Sequence, residues 1–328
     1  MPLYMDYHKF ETVTIEDVKN AHLADEKVQD RYGVTYRQFW VNEKEGAVFC
    51  LMEGPTREAC EAVHREAHGL MACAIVEVDP HYYSQLMGTD FKLDKGHVLR
   101  PDGSQDLGYR NILVANIQGN TDISRPDEYK NLRVPGEAKR LIVSAVLKYK
   151  GRFAAPMRDD NIVAVFDASI DAVRCAMEIQ RELLTRLSDD DDAWNITFRI
   201  GLSAGQPLTE TSDFFEEAVR LAHRICNIAG ENQVLLSSLI HELCQSEGGT
   251  EPREKFLLRI LRPDEEGTIT RLYNTIEAQL QDEAMTAGRL ASDLNMTMEE
   301  LDTTVKSLTG RSAEDFLRTV RREKRLPA

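Results

Sequence analysis

Residues 1–80 alternate between strand-like and helix-like runs, and this order most constrains how the chain can fold. LYMDY, VTYRQFWV, GAVFCLMEG and ACAIVEV are β-rich runs. Two helix patterns separate them: Thr14 to Arg31, with Thr14 as N-cap, and Arg57 to His68, ended by Gly69. The resulting order, β-α-β-β-α-β, is the ferredoxin-like pattern. We therefore predict a ferredoxin-like domain over residues 1–80.

Three further segments follow along the chain. Residues 81–106 are mixed and polar, which predicts a linker. Residues 107–275 resume the alternation of strand and helix patterns, whereas residues 276–328 contain only helix patterns. The chain is thus predicted to be of the α+β class, with an α/β middle domain and a small all-helical C-terminal segment.

Composition limits the classes of function. No apolar run approaches about 18 residues, so no membrane span is expected. The first ten residues lack the basic segment and apolar stretch of a secretory signal. The six cysteines form no C-x-x-C pair, which favours reduced thiols in a cytoplasmic protein. A net charge of -15 argues against nonspecific nucleic-acid binding by the whole surface but leaves room for a local basic patch.

Four motifs stand in order between about Leu107 and Ser238. They are ILVANIQGNT, MRDDNIVAVF, FRIGLSAGQP and DFFEEAVRLAHRICNIAGENQVLLSS. Together they resemble the strand, hairpin and helix motifs of the class III adenylate and guanylate cyclases. The resemblance implies a cyclase-like α/β domain over residues 107–275.

The same resemblance implies that the catalytic set is damaged. Cyclases of this class hold two metal ions with two carboxylates, and the metals activate the attacking hydroxyl. The first carboxylate position is Asn116, whose neutral amide cannot replace that charge, and the second is Asp160. The family helix supplies an asparagine and an arginine four residues apart. These positions are Arg220 and Arg224 here, so only the arginine is retained.

Two further positions of the family read the purine base. The lysine position is Pro156, whereas Asp213 matches the other position. Removing one preorganised electrostatic group typically costs roughly 10²–10³ in rate, so we expect no cyclase activity. Asp160, Asp213 and Arg224 remain candidates for weak nucleotide binding. Alternatively, Asp160 is a turn residue and Arg224 a surface charge on a helix.

Histidines gather in the first segment. His64 and His68 lie four residues apart, so they share one helix face, and Cys60 lies one turn earlier on it. His22 is on the other helix, which covers the same side of a ferredoxin-like sheet, and His8 follows the first strand. Imidazole suits nickel, zinc and copper, and a thiolate favours soft ions. These five residues are the predicted metal ligands. Surface or interface polar groups are the alternative.

The first segment also resembles a known family. MPLYMDYHKF, EDVKNAHLADEKVQDRYGV, YRQFW, FCLMEGP and VHREAHGL are similar to a family of small ferredoxin-like bacterial proteins, one of which binds nickel. The resemblance implies nickel or another transition metal as cofactor. Domains of this kind often pair through their sheets, which predicts a homodimer. Tyr36 and Trp40 are expected on one strand face, in core or dimer packing.

The last segment contains LASDLNMTMEELDTTVKSLTGRSAEDFLRTVRREKR, which resembles the first helix-turn-helix of AraC-type regulators. The resemblance implies DNA binding. Carboxylates at Glu299, Glu300 and Asp302 would repel phosphates at the start of the second helix. The candidate contacts to the DNA backbone are basic residues that come later: Arg318, Arg321, Arg322, Lys324 and Arg325. A helical dimerisation or docking tail is the alternative.

Together these features predict a cytoplasmic regulatory or sensor protein. Its first domain binds metal, its middle domain binds a nucleotide or dimerises, and its tail contacts DNA or a partner. An active but divergent class III nucleotide cyclase is one alternative. A protein that simply sequesters metal is the other.

Overall fold

The computed structural model describes residues 1–119, 128–154, 161–188, 196–249, 258–280, 282 and 285–325. Side chains of residues 128–135 and 323–325 lie outside this description. The chain forms two compact units. The first comprises Met1–Arg110, Arg152–Ala155 and Gly205–Val219, and the second comprises Asn111–Gly151, Pro156–Ala204 and Arg220–Ala328. In the described part of the chain, no helix is both long and apolar enough to cross a membrane.

The described strands β1 to β6 of the first unit form a sheet with strand order β4-β1-β3-β2-β6-β5. β1 is antiparallel to both β3 and β4, and β2 is antiparallel to β3. The order 4-1-3-2 with two helices is the ferredoxin-like arrangement, as predicted. Its elements are β1 (Leu3–Lys9), α1 (Ile15–Val28), β2 (Thr35–Asn42), β3 (Ala47–Glu53), α2 (Arg57–Ala67), β4 (Ala74–Val78), α3 (Pro80–Met87), β5 (Lys92–Asp94), β6 (His97–Leu99) and β8 (Arg152–Phe153).

The two long helices of this unit begin at side-chain caps. The Thr14 hydroxyl accepts from the Asp17 N–H, and the Asp17 carboxylate accepts from the Thr14 N–H, which makes a capping box. Thr56 caps α2 with a single hydrogen bond, in which its hydroxyl accepts from the Ala59 N–H. α1 ends at Val28, three residues before the predicted end, because the chain tightens into the 3₁₀ turn Gln29–Tyr32.

Residues 81–106 carry regular structure where the sequence predicts a linker. Asp79 caps α3, and Pro80 fills its first turn. The hairpin β5–β6 extends the first sheet through a parallel pair, in which Phe39 lies opposite His97. The segment looks polar because β5 is exposed along its whole length at the sheet edge, while Val98 of β6 is buried.

A β-bulge overturns the expectation that Tyr36 and Trp40 share one strand face. The register of β2 against β3 shifts between Tyr36 and Gln38. Tyr36 therefore points toward the helices, where its hydroxyl lies 3.2 Å from Nε2 of His64. Trp40 points away from the helices, and its indole N–H donates to Asp106 at 3.3 Å. An extra residue on one strand changes which face the later side chains occupy.

The second unit has the α/β fold expected from the cyclase-like motifs, but its bounds differ from the predicted 107–275, because residues 205–219 belong to the first unit and the C-terminal helices belong to the second. β10, β11 and β12 are parallel, and β7 is antiparallel to β9. α6 packs closely on β10, because a Cβ added at Gly201 would lie 2.3 Å from the backbone N of Cys226. The elements are β7 (Arg110–Gly119), α4 (Glu128–Lys148), β9 (Asn161–Phe166), α5 (Ser169–Leu187), β10 (Ile196–Gly205), α6 (Glu216–Ile228), β11 (Gln233–Leu236), α7 (Ser238–Ser246) and β12 (Leu258–Ile260).

In the described residues, β12 is followed by four helices: α8 (Pro263–Ala278), α9 (Ala287–Asp293), α10 (Met298–Thr309) and α11 (Ala313–Arg325). Their buried side chains share one apolar core with α6 and β11, and Tyr273 packs edge-on against Phe316 at 5.5 Å. The acidic start of α10 has a structural role, because Glu300 forms a capping box with Thr297. The C-terminal helices are therefore packed as part of the second unit.

Candidate functional site

Three elements of the first unit point ionisable side chains into the layer between sheet and helices. Asp6 and His8 alternate with Tyr7 on β1, so both face the helices. His64 lies on α2 and His68 ends it, one turn later. α1 supplies Asp25. All are buried except His68, whose side chain is 14% exposed.

These side chains contact one another through charged or polar atoms. Asp6 Oδ2 lies 2.7 Å from His64 Nε2 and 3.4 Å from His8 Nε2. Asp25 Oδ1 lies 3.3 Å from His64 Nδ1 and 3.2 Å from His68 Nε2. Two groups result, Asp6–His8–His64 and Asp25–His64–His68. Within each group, the possible metal-ligating atoms lie within 4.8 Å of one another. His64 belongs to both groups and is the centre of the cluster.

The two carboxylates control the protonation of His64. Burial by itself lowers the pKa of His64, but hydrogen bonds to Asp25 and Asp6 outweigh it and raise the pKa to about 10. Burial also tends to raise the pKa of Asp6 and Asp25, yet the neighbouring histidines hold both values below the ordinary range. Without a metal, His64 is therefore an imidazolium between two carboxylates near neutral pH.

The donor set fits a transition-metal ion. Three imidazoles and two carboxylates are the nitrogen and oxygen ligands that nickel, cobalt, zinc and copper accept. Among the described residues, Nδ1 of His8 is buried without a hydrogen-bond partner, so this nitrogen is available as a metal ligand. His8, His64 and His68 would hold the ion with help from Asp6 and Asp25. The carboxylates would also balance the charge of a divalent cation.

The structure brings three of the five predicted metal ligands into these groups and leaves Cys60 and His22 outside them. Cys60 lies one helical turn from His64, which displaces it along the α2 axis into an apolar core. Burial raises the pKa of the Cys60 thiol to about 12, so it stays protonated. His22 lies outside both groups. Its ring contacts Phe39 at 5.1 Å, and its Nε2 lies 3.6 Å from Glu26.

Asp6 and Asp25 were missing from the sequence prediction. The sequence nevertheless indicates both carboxylates, through strand periodicity for Asp6 and helix periodicity for Asp25. Asp6 precedes His8 by two residues on a strand, and Asp25 follows His22 by three residues on a helix. Each carboxylate therefore shares a face with a histidine that the sequence had already indicated. The spacing alone did not show that both faces meet at His64.

A cavity of about 270 Å³ adjoins the cluster. His8, His22, Asp25, His64 and His68 all line it. Most of the remaining wall is apolar and includes Phe10, Val13, Val18, Ala21, Val48 and Leu70. Like His8, His22 lines the cavity with a buried Nδ1 that has no hydrogen-bond partner among the described residues.

The positions implied by the cyclase resemblance have different surroundings. Asn116 lies opposite Asn161 in the β7–β9 pair and donates from Nδ2 to Asn161 Oδ1 at 2.8 Å. Asp160 and Pro156 lie outside the described residues. Asp213 is exposed, and its backbone N–H donates to Glu216 Oε2 at 3.3 Å. It falls in the segment 205–219, which folds with the first unit.

Arg224 is buried rather than a surface charge. Its Nη2 donates to Glu277 Oε2 at 2.8 Å and to Asn274 Oδ1 at 2.7 Å. Its guanidinium also lies 5.2 Å from the centre of the Tyr273 ring. All three partners are on α8, so the retained arginine holds a C-terminal helix. Arg220, one turn earlier on α6, is half-buried.

The predicted DNA-contacting residues divide into three groups. Arg318 and Arg322 are exposed on α11, and Arg318 is paired with Asp315. Arg321 instead donates to the backbone carbonyls of Asp282 and Met285, at 2.7 and 3.2 Å. The side chains of Lys324 and Arg325 lie outside the described residues.

A protein family described as "Nickel responsive protein SCO4226-like" matches residues 4–78. The chain is also 31% identical, over 132 residues, to "Putative adenylate cyclase 3" of Rhizobium meliloti (strain 1021). That match covers 40% of this chain and 22% of the relative, so the chain spans about a fifth of the relative's length. The chain thus joins a nickel-responsive-like domain at its N-terminus to adenylate cyclase-like sequence.

Two solved structures are similar to parts of the chain. An adenylate/guanylate cyclase/hydrolase from Silicibacter pomeroyi is 29% identical, with a TM-score of 0.37, and the match covers 44% of this chain and 83% of that one. SCO4226 from Streptomyces coelicolor A3(2) is 36% identical, with a TM-score of 0.22, and the match covers 23% of this chain and 94% of that one.

Proposed function

We propose that this chain is a cytoplasmic metal-responsive regulatory protein. Its first unit binds nickel or a similar divalent transition metal through His8, His64 and His68, with Asp6 and Asp25. The observation that carries the proposal is the buried cluster of three imidazoles and two carboxylates. Residues 4–78, which contain this cluster, match a nickel-responsive family, and this match supports nickel as the first ion to test.

The charges in the cluster favour a ligand that is a cation. Ionised groups are costly to bury unless they are paired. Asp6 and Asp25 are both buried carboxylates, and the protonated His64 lies between them as a compensating charge. A divalent ion that displaces the His64 proton would keep both carboxylates compensated and add metal–nitrogen bonds.

Calorimetric titration of the full chain with Ni²⁺, combined with metal analysis, tests this proposal. We expect binding in the wild-type protein and an affinity at least about 100-fold lower in His64→Ala and in His8→Ala. His81→Ala is the matched control, because His81 is exposed on α3 and contacts Gln85. Circular dichroism verifies folding of each variant. Unchanged nickel affinity in both folded variants would remove the cluster as the metal site.

The cyclase-like unit is proposed to serve regulation without cyclase chemistry. Two observations support this: Asn116 provides an amide where a metal carboxylate is needed, and Arg224 is already bound by Glu277. Incubation with Mn²⁺ and ATP or GTP, followed by chromatography, is expected to give no cyclic nucleotide. Cyclic product that disappears in Asp160→Ala would instead establish an active, divergent cyclase.

The last part of the proposal concerns DNA and the oligomeric state. α9, a short turn and α10 follow the order of a helix-turn-helix, and Arg318 and Arg322 are exposed on α11. We propose contact with the DNA backbone and a homodimer in solution. Fluorescence anisotropy with duplex DNA should show salt-dependent binding that weakens in Arg318→Ala/Arg322→Ala but not in Arg181→Ala. Light scattering measures the oligomeric state.

A further inference from the structure

The cavity beside the histidine cluster is larger than a metal ion requires. It measures about 270 Å³, whereas an apolar cavity of about 150 Å³ is enough to hold benzene. Metal–ligand distances of about 2 Å place an ion among its donor atoms, leaving the rest of the space unused. The volume therefore fits an ion together with a small organic molecule.

The wall of the cavity has two chemically different parts. Seven polar side chains, including His64 and His68, form one part, and apolar side chains such as Phe10, Val18 and Leu70 form the other. Ligand sites commonly combine a mostly apolar wall with a few orienting polar groups. Nδ1 of His22 is such a group: it is buried, outside the metal cluster and unpartnered among the described residues.

We propose that the cavity binds a small, mostly apolar organic molecule that also coordinates the metal. One nitrogen or oxygen atom of this molecule completes the metal's ligand set, and its apolar body lies against Phe10, Val18 and Ala21. His22 offers a second hydrogen-bonding point. This inference rests on the proposed metal site and specifies the class of small molecule that the site binds together with the metal.

Nickel-loaded full-length protein, titrated with imidazole or with 4-phenylimidazole, tests the inference. Both probes offer the same nitrogen donor, but the phenyl ring adds apolar surface that the cavity can bury. We expect 4-phenylimidazole to bind at least about tenfold more tightly than imidazole. In metal-free protein this binding should fall by about tenfold or more.

Two matched variants locate the probe. Ala21→Leu fills the cavity from α1 and should abolish the preference for 4-phenylimidazole while nickel affinity stays unchanged. Ala24→Leu makes the same change on the same helix, at a residue that does not line the cavity, and should keep the preference. Equal binding of the two probes, or an effect of Ala24→Leu as large as that of Ala21→Leu, would overturn the inference and leave the metal site standing. Failure to bind nickel would remove both.

A different observation supports a second inference, which concerns the segment 205–219. This segment folds with the first unit. The Phe215 N–H donates to the Pro207 carbonyl at 2.8 Å, and the Phe214 ring stacks on Tyr83 of α3 at 6.0 Å. Burial raises the pKa of Tyr7, and from this segment the Gln206 side chain lowers it while the charge of Glu210 raises it.

Tyr7 connects this segment to the histidine cluster. It stands between Asp6 and His8 on β1, and alternation points its side chain to the opposite face of the sheet. Coordination of a metal by Asp6 and His8 would fix the strand on both sides of Tyr7. We infer that metal binding at the cluster orders the segment 205–219 through Tyr7 and Gln206.

Hydrogen exchange measured by mass spectrometry, with and without Ni²⁺, tests this second inference. In the wild-type protein we expect nickel to slow amide exchange in residues 206–215 by about fivefold or more. Tyr7→Phe should keep nickel affinity but lose most of that protection. Tyr4→Phe, a matched change on the other face of β1, should keep both. Nickel binding without any change in exchange at 206–215 would overturn the coupling alone.

Discussion

The sequence indicates functional roles both for the histidines of the first unit and for Arg224 of the second, yet the surroundings of these residues differ. In the cluster, donor atoms from α1, α2 and β1 converge within 4.8 Å in two groups that share His64. Arg224 keeps its motif position, but Glu277 and Asn274 of the same chain occupy its Nη2. A residue that fits a motif can therefore be a candidate ligand in one unit and hold neighbouring helices together in the other.

The largest expected change in the free energy of unfolding follows from removing the carboxylate that pairs with Arg224. Glu277→Ala leaves a buried guanidinium without its counter-charge, which should destabilise the second unit by about 3 kcal/mol. Chemical denaturation measures the loss. Glu242→Ala, an exposed acidic residue on α7, is the control and should change the free energy of unfolding by less than about 0.5 kcal/mol. An equally small effect of Glu277→Ala would show that Arg224 is free for another role, as in a nucleotide site.

The pH dependence of nickel affinity distinguishes a metal site at His64 from a purely structural ion pair. The pKa of His64 is raised from an ordinary value of 6.5 to about 10, so nickel must displace its proton. Nickel affinity should therefore rise about tenfold per pH unit between pH 7 and 9. Calorimetry in two buffers of different ionisation enthalpy should detect the released proton. Affinity independent of pH in this range would contradict coordination by His64.

The metal-free protein should respond to pH in the opposite direction. Because folding raises the pKa of His64, its contribution to stability is fully present below about pH 6.5 and is lost as pH rises toward 10. Thermal denaturation at a series of pH values measures this loss. His64→Gln, which cannot be protonated in this range, is the matched control and should reduce the slope.

The smallest expected effect concerns Cys60, which tests the boundary of the cluster. Cys60→Ala should leave nickel affinity within about twofold, because the thiol lies in the apolar core of the unit. It should destabilise the fold by about 1 kcal/mol through lost packing. Titration and chemical denaturation measure the two effects, with His8→Ala as the contrasting ligand variant. A loss of nickel affinity comparable to that of His8→Ala would bring Cys60 back into the ligand set.

Much of the fold could be predicted because it depends on local patterns. Thr14 and Thr56 cap helices from adjacent positions, and the order of strands and helices determined the ferredoxin-like arrangement. The hairpin β5–β6 could not be predicted in the same way. Its residues are polar because they lie at an exposed sheet edge, and their pairing with β2 is a non-local contact.

The candidate site was predictable only in part, for a related reason. Helical spacing places His64 and His68 on one face, so these two were found from the sequence. Asp25 comes from another helix, and only the packing of α1 against α2 brings it to His64. The bulge in β2 likewise turned Tyr36 toward His64, although simple alternation had placed it with Trp40.

The sequence by itself determined which residue types are available: histidines at helical spacing, an amide at position 116 and an arginine at position 224. Tertiary structure decided what each of them contacts. It added Asp6 and Asp25 to the histidines, excluded Cys60 and bound Arg224 to α8. The physical reason is that periodicity determines the face on which a side chain lies, whereas contacts between distant segments depend on how whole elements pack.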